Sequence, residues 1–193
     1  KKSLSKTDAL LASPNNFPAQ MIIKFAEIVP EEVRSMFLVL FDESRDVYER
    51  IDTFKQKSGV LLERYGSGAK HHYQKENPIC TYLWLRYPDK YYVYKFREVK
   101  AVSDELQSDY IFKTGDYTNN IRNFLAFYNE ICAELQQDEE LKNMLASQIT
   151  ETHYPDTELR TLTMDVGFFI RTYLKMLMHR QRMNGGQYII RRN

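Results

Sequence analysis

The segment best equipped to bind a ligand through its side chains is TYLWLRYPDKYYVYKF, residues 81–96. It contains the only tryptophan of the chain, five of its fourteen tyrosines and three cations. Aromatic rings stack on nucleic-acid bases and cations neutralise phosphates, so this mixture is typical of a surface that binds nucleic acid. The candidate contact residues are Trp84, Arg86, Lys90, Tyr91, Tyr94 and Lys95.

The same segment also suits a buried element of structure. Tyrosine and tryptophan bury large apolar areas and can place their polar tips at a boundary with water. A core role accounts for Leu83, Trp84 and Tyr87, but it leaves Tyr91, Tyr94 and the lysines without an explanation. The sequence therefore leaves open whether the segment belongs to the core or forms a ligand surface.

The distribution of charge adds limited support for contact with phosphates. The formal net charge is only +1, but six cations stand against three acids over residues 71–100. Residues 171–193 carry six cations and no acid. Local basic patches of this kind are compatible with nucleic-acid binding, although ordinary protein surfaces have them too.

Other kinds of chemistry find little support. None of the seven glycines precedes a lysine, so no phosphate-binding loop of the G-x-x-x-x-G-K-[ST] type is present. The four histidines lack the spacing of a zinc site, and Cys80 and Cys132 are predicted to be buried thiols. We expect Asp165 to pair with Arg160 or Arg171. No catalytic residue, metal site or cofactor is predicted.

The elements that must position these residues are predicted to be helices. Hydrophobic periodicity indicates a mainly α-helical single domain over residues 1–180, followed by a basic tail or linker over residues 181–193. The predicted helices cover residues 5–12, 17–30, 30 to about 57 with a continuation to 65, 78–87, 99–106, 117–135, a stretch after Asp138, and 158–179. Pro88 should end one helix, and residues 88–97 should form a short β-hairpin or an extended aromatic segment.

Several runs of the chain resemble one known type of protein region. They are LASPNNFP (11–18), VRSMFLVLFDESRDVYERIDTFK (33–55), HHYQKENPICTYLWLRYPDKYYVYKFREVKAV (71–102), DYTNNIRNFLAFYNEICAEL (116–135) and YPDTELRTLTMDVGFFI (154–170). They are similar to N-terminal regions that precede the AAA+ motor in bacterial proteins of the McrB-like family, the GTPase subunits of modified-cytosine restriction systems. The resemblance covers most of the chain and thins after about Lys175.

This resemblance implies a DNA-recognition module for restriction or anti-phage defence. In the family, the motor hydrolyses GTP or ATP, forms a ring and recruits a separate nuclease, and several N-terminal regions read modified cytosine. The motor motifs are absent here, so we expect no enzymatic activity from this chain. The resemblance transfers no site residues, and the six candidates named above rest on their chemistry alone.

One alternative function stays open at this point: a module that binds a partner subunit or a phage product that triggers the motor. An exposed apolar patch without a basic stripe beside it would mark such a module. No apolar run is long enough to span a membrane and no signal-peptide pattern opens the chain, so we expect a cytoplasmic protein.

Overall fold

The computed structural model describes residues 8–11, 17–174 and 176 and confirms a mainly helical single domain. Its helices are α1 (Asp8–Leu11), α2 (Pro18–Ile28), α3 (Pro30–Leu40), α4 (Val47–Tyr65), α5 (Glu76–Arg86), α6 (Phe96–Glu105), α7 (Tyr117–Gln137), α8 (Glu139–Gln148) and α9 (Arg160–Phe169). A π-helical turn, Ile170–Leu174, continues α9. The predicted basic tail, residues 181–193, lies outside the described residues.

Two of the predicted helix starts are confirmed by their local chemistry. Pro18 opens α2 and Pro30 opens α3, where a fixed φ and a missing N–H suit the first helical turn. Glu31 and Glu32 follow in the first turn of α3, near the positive end of its dipole. Across the described residues, no helix combines the length and hydropathy needed to cross a bilayer.

The long helix predicted from Pro30 to about Lys57 is two helices in the structure, α3 and α4. In the connection, Asp42 Oδ1 accepts hydrogen bonds from the backbone N–H (3.1 Å) and the hydroxyl (2.6 Å) of Ser44. Asp46 Oδ1 then accepts from the backbone N–H groups of Tyr48 and Glu49 in α4, at 3.0 and 3.1 Å, and so caps that helix. Short polar side chains thus replace the helical hydrogen bonds at this point.

Residues 91–94 form an extended segment in the centre of the core, and no β-strand occurs within residues 17–174. Of the two alternatives for residues 88–97, the β-hairpin is therefore not formed, and the aromatic segment outside the helices is limited to residues 91–95, because α6 begins at Phe96. The ring of Tyr92 meets Phe124 and Tyr128 edge-on, with centroids 6.1 and 5.5 Å apart. Tyr94 meets Phe124 in the same way at 5.1 Å. Edge-to-face packing of this kind stabilises aromatic clusters beyond their buried area.

Hydrogen bonds from three helices hold this segment in place. From α5, Asn77 Nδ2 donates to the Tyr94 carbonyl oxygen at 2.6 Å. The Tyr92 hydroxyl donates to the carbonyl oxygen of Tyr128 in α7 at 3.1 Å and accepts from Arg160 at the start of α9. A buried segment without helical or sheet pairing needs such partners, because buried polar groups left unpaired are costly.

α9 approaches α7 closely at Gly167, which is buried. A Cβ atom built on Gly167 would stand 2.4 Å from the hydroxyl oxygen of Tyr128, a side chain that is 1% exposed. The missing side chain therefore lets α9 pack directly on the aromatic cluster of the core.

We expect Gly167→Ala to destabilise the protein by about 1–3 kcal/mol, since the added methyl group overpacks the contact with Tyr128. Gly59→Ala is the matched control, because a Cβ atom at this position in α4 meets nothing within 4 Å. It should stabilise by about 0.5–1 kcal/mol through helix propensity. Urea unfolding of both variants measures the difference, and Tyr128→Phe should rescue part of the loss in Gly167→Ala. Equal effects of the two alanines would contradict the packing argument.

Candidate functional site

The structure decides the open question about two predicted contact residues. Tyr91 and Tyr94 are 6% and 4% exposed. Neither presents an open ring face, and stacking on a base requires one. Stacking of a base on Tyr91 or Tyr94 is therefore excluded by burial, and the core interpretation holds for both residues.

Tyr91 belongs to a buried polar network with Glu43, Arg50 and Lys90. Its hydroxyl donates to Glu43 Oε1 at 2.8 Å and accepts from Arg50 Nη2 at 2.7 Å. Burial raises the pKa of Tyr91 to about 12. Arg50, 2% exposed, also donates to Glu43 at 2.7 Å, and Lys90 binds the other carboxylate oxygen. Burial opposes ionisation of Glu43, but the hydrogen bonds from its three partners outweigh burial and lower its pKa.

Lys90 is therefore not the free cation that the sequence predicted at this position. Its side chain is exposed, but its ammonium group is engaged with Glu43. A phosphate would have to compete with this carboxylate for the lysine. We no longer count Lys90 among the groups free to bind an anion.

Trp84 is half-buried and lines a cavity of about 510 Å³ formed by the end of α5, α8 and the start of α9. Most of the wall is apolar, with Tyr154 and Asp165 among the lining residues. The indole N–H of Trp84 and the hydroxyl of Thr161, another lining residue, are buried without hydrogen-bond partners. The cavity is of the size that small-molecule sites commonly have.

Arg86 lies on a different face from Trp84. It is exposed at the edge of an apolar groove of about 650 Å³ between α2, α3 and α5, and its guanidinium lies 5.0 Å from the ring centroid of Tyr87. Ile22, Phe37 and Leu85 are among the apolar residues of the groove. The structure thus separates Trp84, Arg86 and Lys90, which the sequence placed on one candidate surface.

Lys95 remains an exposed cation, and a second basic residue joins it from a distant part of the chain. Its ammonium is 3.8 Å from Glu98, whose side chain is 4% exposed. Burial raises the pKa of Glu98, while Lys95 and Arg171 both act to lower it. Arg171 in the π-helical turn therefore lies near Lys95 and Glu98, where α6 packs against that turn.

The predicted partner of Asp165 is not found. Among the described ion pairs, Asp165 has none with Arg160 or Arg171. Arg160 instead donates to the Tyr92 hydroxyl and, at 2.5 Å, to Asn129. The pKa of Asp165 is raised, chiefly by burial and further by the neighbouring Asp156 carboxylate.

An exposed aromatic cluster at the end of α9 was missed by the sequence reasoning. Phe168, Phe169 and Tyr173 are 43%, 46% and 44% exposed. Tyr173 lies 5.9 Å, between ring centroids, from each of the two phenylalanines. Successive residues of a helix point about 100° apart, so an adjacent aromatic pair at the edge of the apolar stripe can present a ring to solvent. The pair Phe168–Phe169 was the sequence feature that could have indicated this cluster.

The described part of the chain contains no group of metal ligands and no exposed thiol. No group of three or more His, Cys, Asp or Glu residues is placed there to hold a metal ion. Cys80 and Cys132 are buried and unpaired, which confirms the prediction of buried thiols. Burial raises the pKa of Cys80, and this disfavours the reactive thiolate.

Comparisons of this chain with protein-family models, with curated proteins and with solved structures gave no match. The resemblance to the N-terminal regions of McrB-like proteins therefore stays a prediction from the sequence.

We expect Glu98→Gln to become more stabilising, relative to wild type, as the pH rises. The folded-state pKa of Glu98 is raised, so the folded protein binds the proton more tightly than the unfolded chain. Stability contributed by this group is thus lost as pH rises from the unfolded pKa, about 4.3, through the folded pKa. Glutamine removes that loss.

Urea unfolding of Glu98→Gln and wild type across a pH series between about 4 and 8 tests this expectation. The matched control is Glu134→Gln on the exposed face of α7, which should show no change of its effect with pH. A constant difference between Glu98→Gln and wild type at every pH would contradict the assignment.

Proposed function

We propose that this chain is a DNA-recognition module whose contact surface lies at the end of α9 rather than on the tyrosine segment. The observation that carries the proposal is the exposed cluster of Phe168, Phe169 and Tyr173 with the exposed Arg171 between them in sequence. Exposed rings interleaved with a cation are the combination that stacks unpaired bases and neutralises the adjoining phosphates.

Charge in the surrounding chain supports this location. Lys95 and Arg97 are exposed at the start of α6, which packs against the π-helical turn containing Arg171. The sequence from residue 171 to residue 193 has six cations and no acid. A cation-rich region next to exposed rings favours a polyanion, and counterion release from the phosphates supplies most of such affinity.

Of the residues predicted from the sequence, only Lys95 belongs to this proposed surface. Tyr91 and Tyr94 are core residues, Lys90 is paired with Glu43, and Trp84 lines a separate cavity. Base stacking and phosphate binding, which the sequence predicted for the segment 81–96, are thus proposed for the end of α9, where the rings are accessible.

The resemblance described above suggests the setting of this module. It would serve an AAA+ motor in the same chain and a separate nuclease subunit, in a restriction or anti-phage defence system, with modified cytosine as the candidate signal. The net charge of +1 is consistent with contact through a local surface rather than through the whole protein.

We expect labelled DNA to bind with an affinity that falls steeply with salt, because phosphate contacts release counterions. Fluorescence anisotropy measures this for single strands and duplexes that are unmodified, methylated or hydroxymethylated at cytosine. Tyr173→Ala should weaken binding by about 1–3 kcal/mol through lost stacking. Arg171→Ala should lower the slope of log affinity against log salt by about 1.

Two matched controls separate this surface from general effects of charge and exposure. Lys70→Ala removes an exposed cation elsewhere, and Leu38→Ala removes a side chain that is 59% exposed on α3. Neither should change DNA affinity or its salt dependence. No binding to any of the DNAs at low salt would sink the proposal, as would equal losses in the control variants.

The apolar groove beside Arg86 favours a second candidate function, the docking of a partner protein. Its walls come from α2, α3 and α5, and Leu85 within it is 41% exposed. It matches the mark expected of an interaction module, an exposed apolar patch without a basic stripe beside it.

The occupant that this groove suits is the apolar face of a partner helix with a carboxylate near its edge. Three helices flank a groove of about 650 Å³, which is wide enough for the side chains of one helix face. Arg86 stacks on Tyr87 but forms no ion pair among the described residues, so it is available to an acid of the partner. Such a charge pair would set the orientation of the helix.

Designed amphipathic helices with a leucine face test this second candidate. We expect the helix with flanking glutamates to bind about tenfold tighter than its lysine counterpart, and Arg86→Glu to reverse the preference. Arg45→Glu, an exposed charge reversal outside the groove, is the control. Calorimetry measures the affinities. Absence of binding by either helix, or the same preference in the Arg86→Glu variant, would exclude this occupant.

A further inference from the structure

The cavity beside Trp84 has the walls of a ligand site that neither proposed function uses. Its volume is about 510 Å³, and its lining includes the aromatic residues Trp84 and Tyr154 and the aliphatic residues Leu145 and Leu162. Small-molecule sites typically have mostly apolar walls with a few converging polar groups. The charge of those polar groups then determines which ligand fits.

Two carboxylates, one histidine and no lysine or arginine line this cavity, so we expect a negative potential within it. Asp165 and Asp156 line it, and Asp89 lies near the Tyr154 hydroxyl. The nearby Asp89 carboxylate, together with the Asp156 and Glu158 carboxylates, raises the pKa of Tyr154 to about 12. Such a potential favours a cationic ligand and disfavours an anionic one.

The two lining carboxylates differ in the number of hydrogen bonds that they already accept within the protein. Asp156, 4% exposed, accepts the backbone N–H groups of Thr161 and Leu162 at 2.9 and 2.8 Å and so holds the start of α9. Asp165 accepts no hydrogen bond and forms no ion pair among the described residues, although Lys95 lies near enough to lower its pKa. Asp165 is therefore the group available to a ligand.

We propose that this cavity binds an organic cation, an ammonium group on an apolar body, with Asp165 as its counter-charge and Trp84 and Tyr154 as its aromatic walls. A cation is attracted to the faces of aromatic rings, to tryptophan most strongly, and the attraction grows where water is excluded. The apolar body would contact the aliphatic wall. The same chemistry is available from a free metabolite and from a methylated lysine of a partner protein.

α8 is the wall that can adapt to such a ligand. It contributes Leu145 to the cavity but buries none of its residues fully, unlike the other long helices of the fold. A helix held by few buried contacts opens locally at low cost in free energy. Binding should therefore protect α8 from hydrogen exchange, which gives a second readout of the site.

The only tryptophan of the chain lies in the cavity, so its emission on excitation of tryptophan alone reports binding directly. The probes are choline and a short peptide containing trimethyllysine. Their neutral counterparts are 3,3-dimethylbutan-1-ol and the same peptide with norleucine. We expect a saturable change in emission, and protection of α8, with at least one cation and with neither neutral compound.

Asp165 is exposed, and an exposed counter-charge contributes at most about 1 kcal/mol, so Asp165→Asn should weaken binding up to about fivefold. Glu151→Gln, an exposed acid on the same loop that does not line the cavity, is the matched control and should bind as wild type does. Saturation by choline supports a free metabolite, and saturation by the peptide alone supports a partner side chain.

Equal response to a cation and its neutral counterpart, an unchanged affinity in Asp165→Asn, or no saturable change with either cation would each overturn the proposal. Unfolding curves of Asp165→Asn verify that the variant is folded. The DNA proposal is tested at Arg171 and Tyr173, which do not line the cavity, so a failure of one proposal can be told from a failure of the other.

Discussion

The buried extended segment at residues 91–94 constrains most of the fold around it. A segment without helical hydrogen bonds can lie in a core only if its polar groups find other partners. Asn77 of α5 binds its backbone, while the hydroxyl of Tyr92 joins it to α7 and α9. Tyr91 extends the same arrangement to α4 through the buried Arg50. The helices are thus positioned by one aromatic segment as well as by their own apolar faces.

This arrangement also explains why the segment gives no surface for a ligand. Burying the Arg50 guanidinium requires compensating charge, and Glu43 provides it while also binding Lys90. The aromatic rings and cations that a nucleic-acid surface needs are therefore present, but they bind one another. A core that contains tyrosine hydroxyls and a buried ion pair has the same residue types as a binding surface, so composition alone does not distinguish the two.

The helices were largely predictable from periodicity and from Pro18 and Pro30. Which of their aromatic side chains are buried and which are exposed was not. The break between α3 and α4 was encoded locally, by the pattern of Asp46 followed three residues later by a glutamate, and could have been found as a capping signal. The burial of Tyr91 and Tyr94 could not, because it depends on Arg50 and Phe124, which lie about forty and thirty residues away in the chain. The exposure of Phe168 and Phe169 lies between these cases, since an adjacent aromatic pair indicates that a ring can be exposed but does not show which one.

The two proposed sites are electrostatically linked through Lys95. Its ammonium lies 3.8 Å from Glu98 and near enough to Asp165 at the cavity to act on the pKa of both carboxyl groups. A cation bound at Asp165 would neutralise a negative charge near Lys95 and leave that lysine freer to bind a phosphate. Because linkage is reciprocal, a polyanion bound at Lys95 and Arg171 would then favour the cation by the same factor. The sign of this coupling follows from the charges alone, and it is positive.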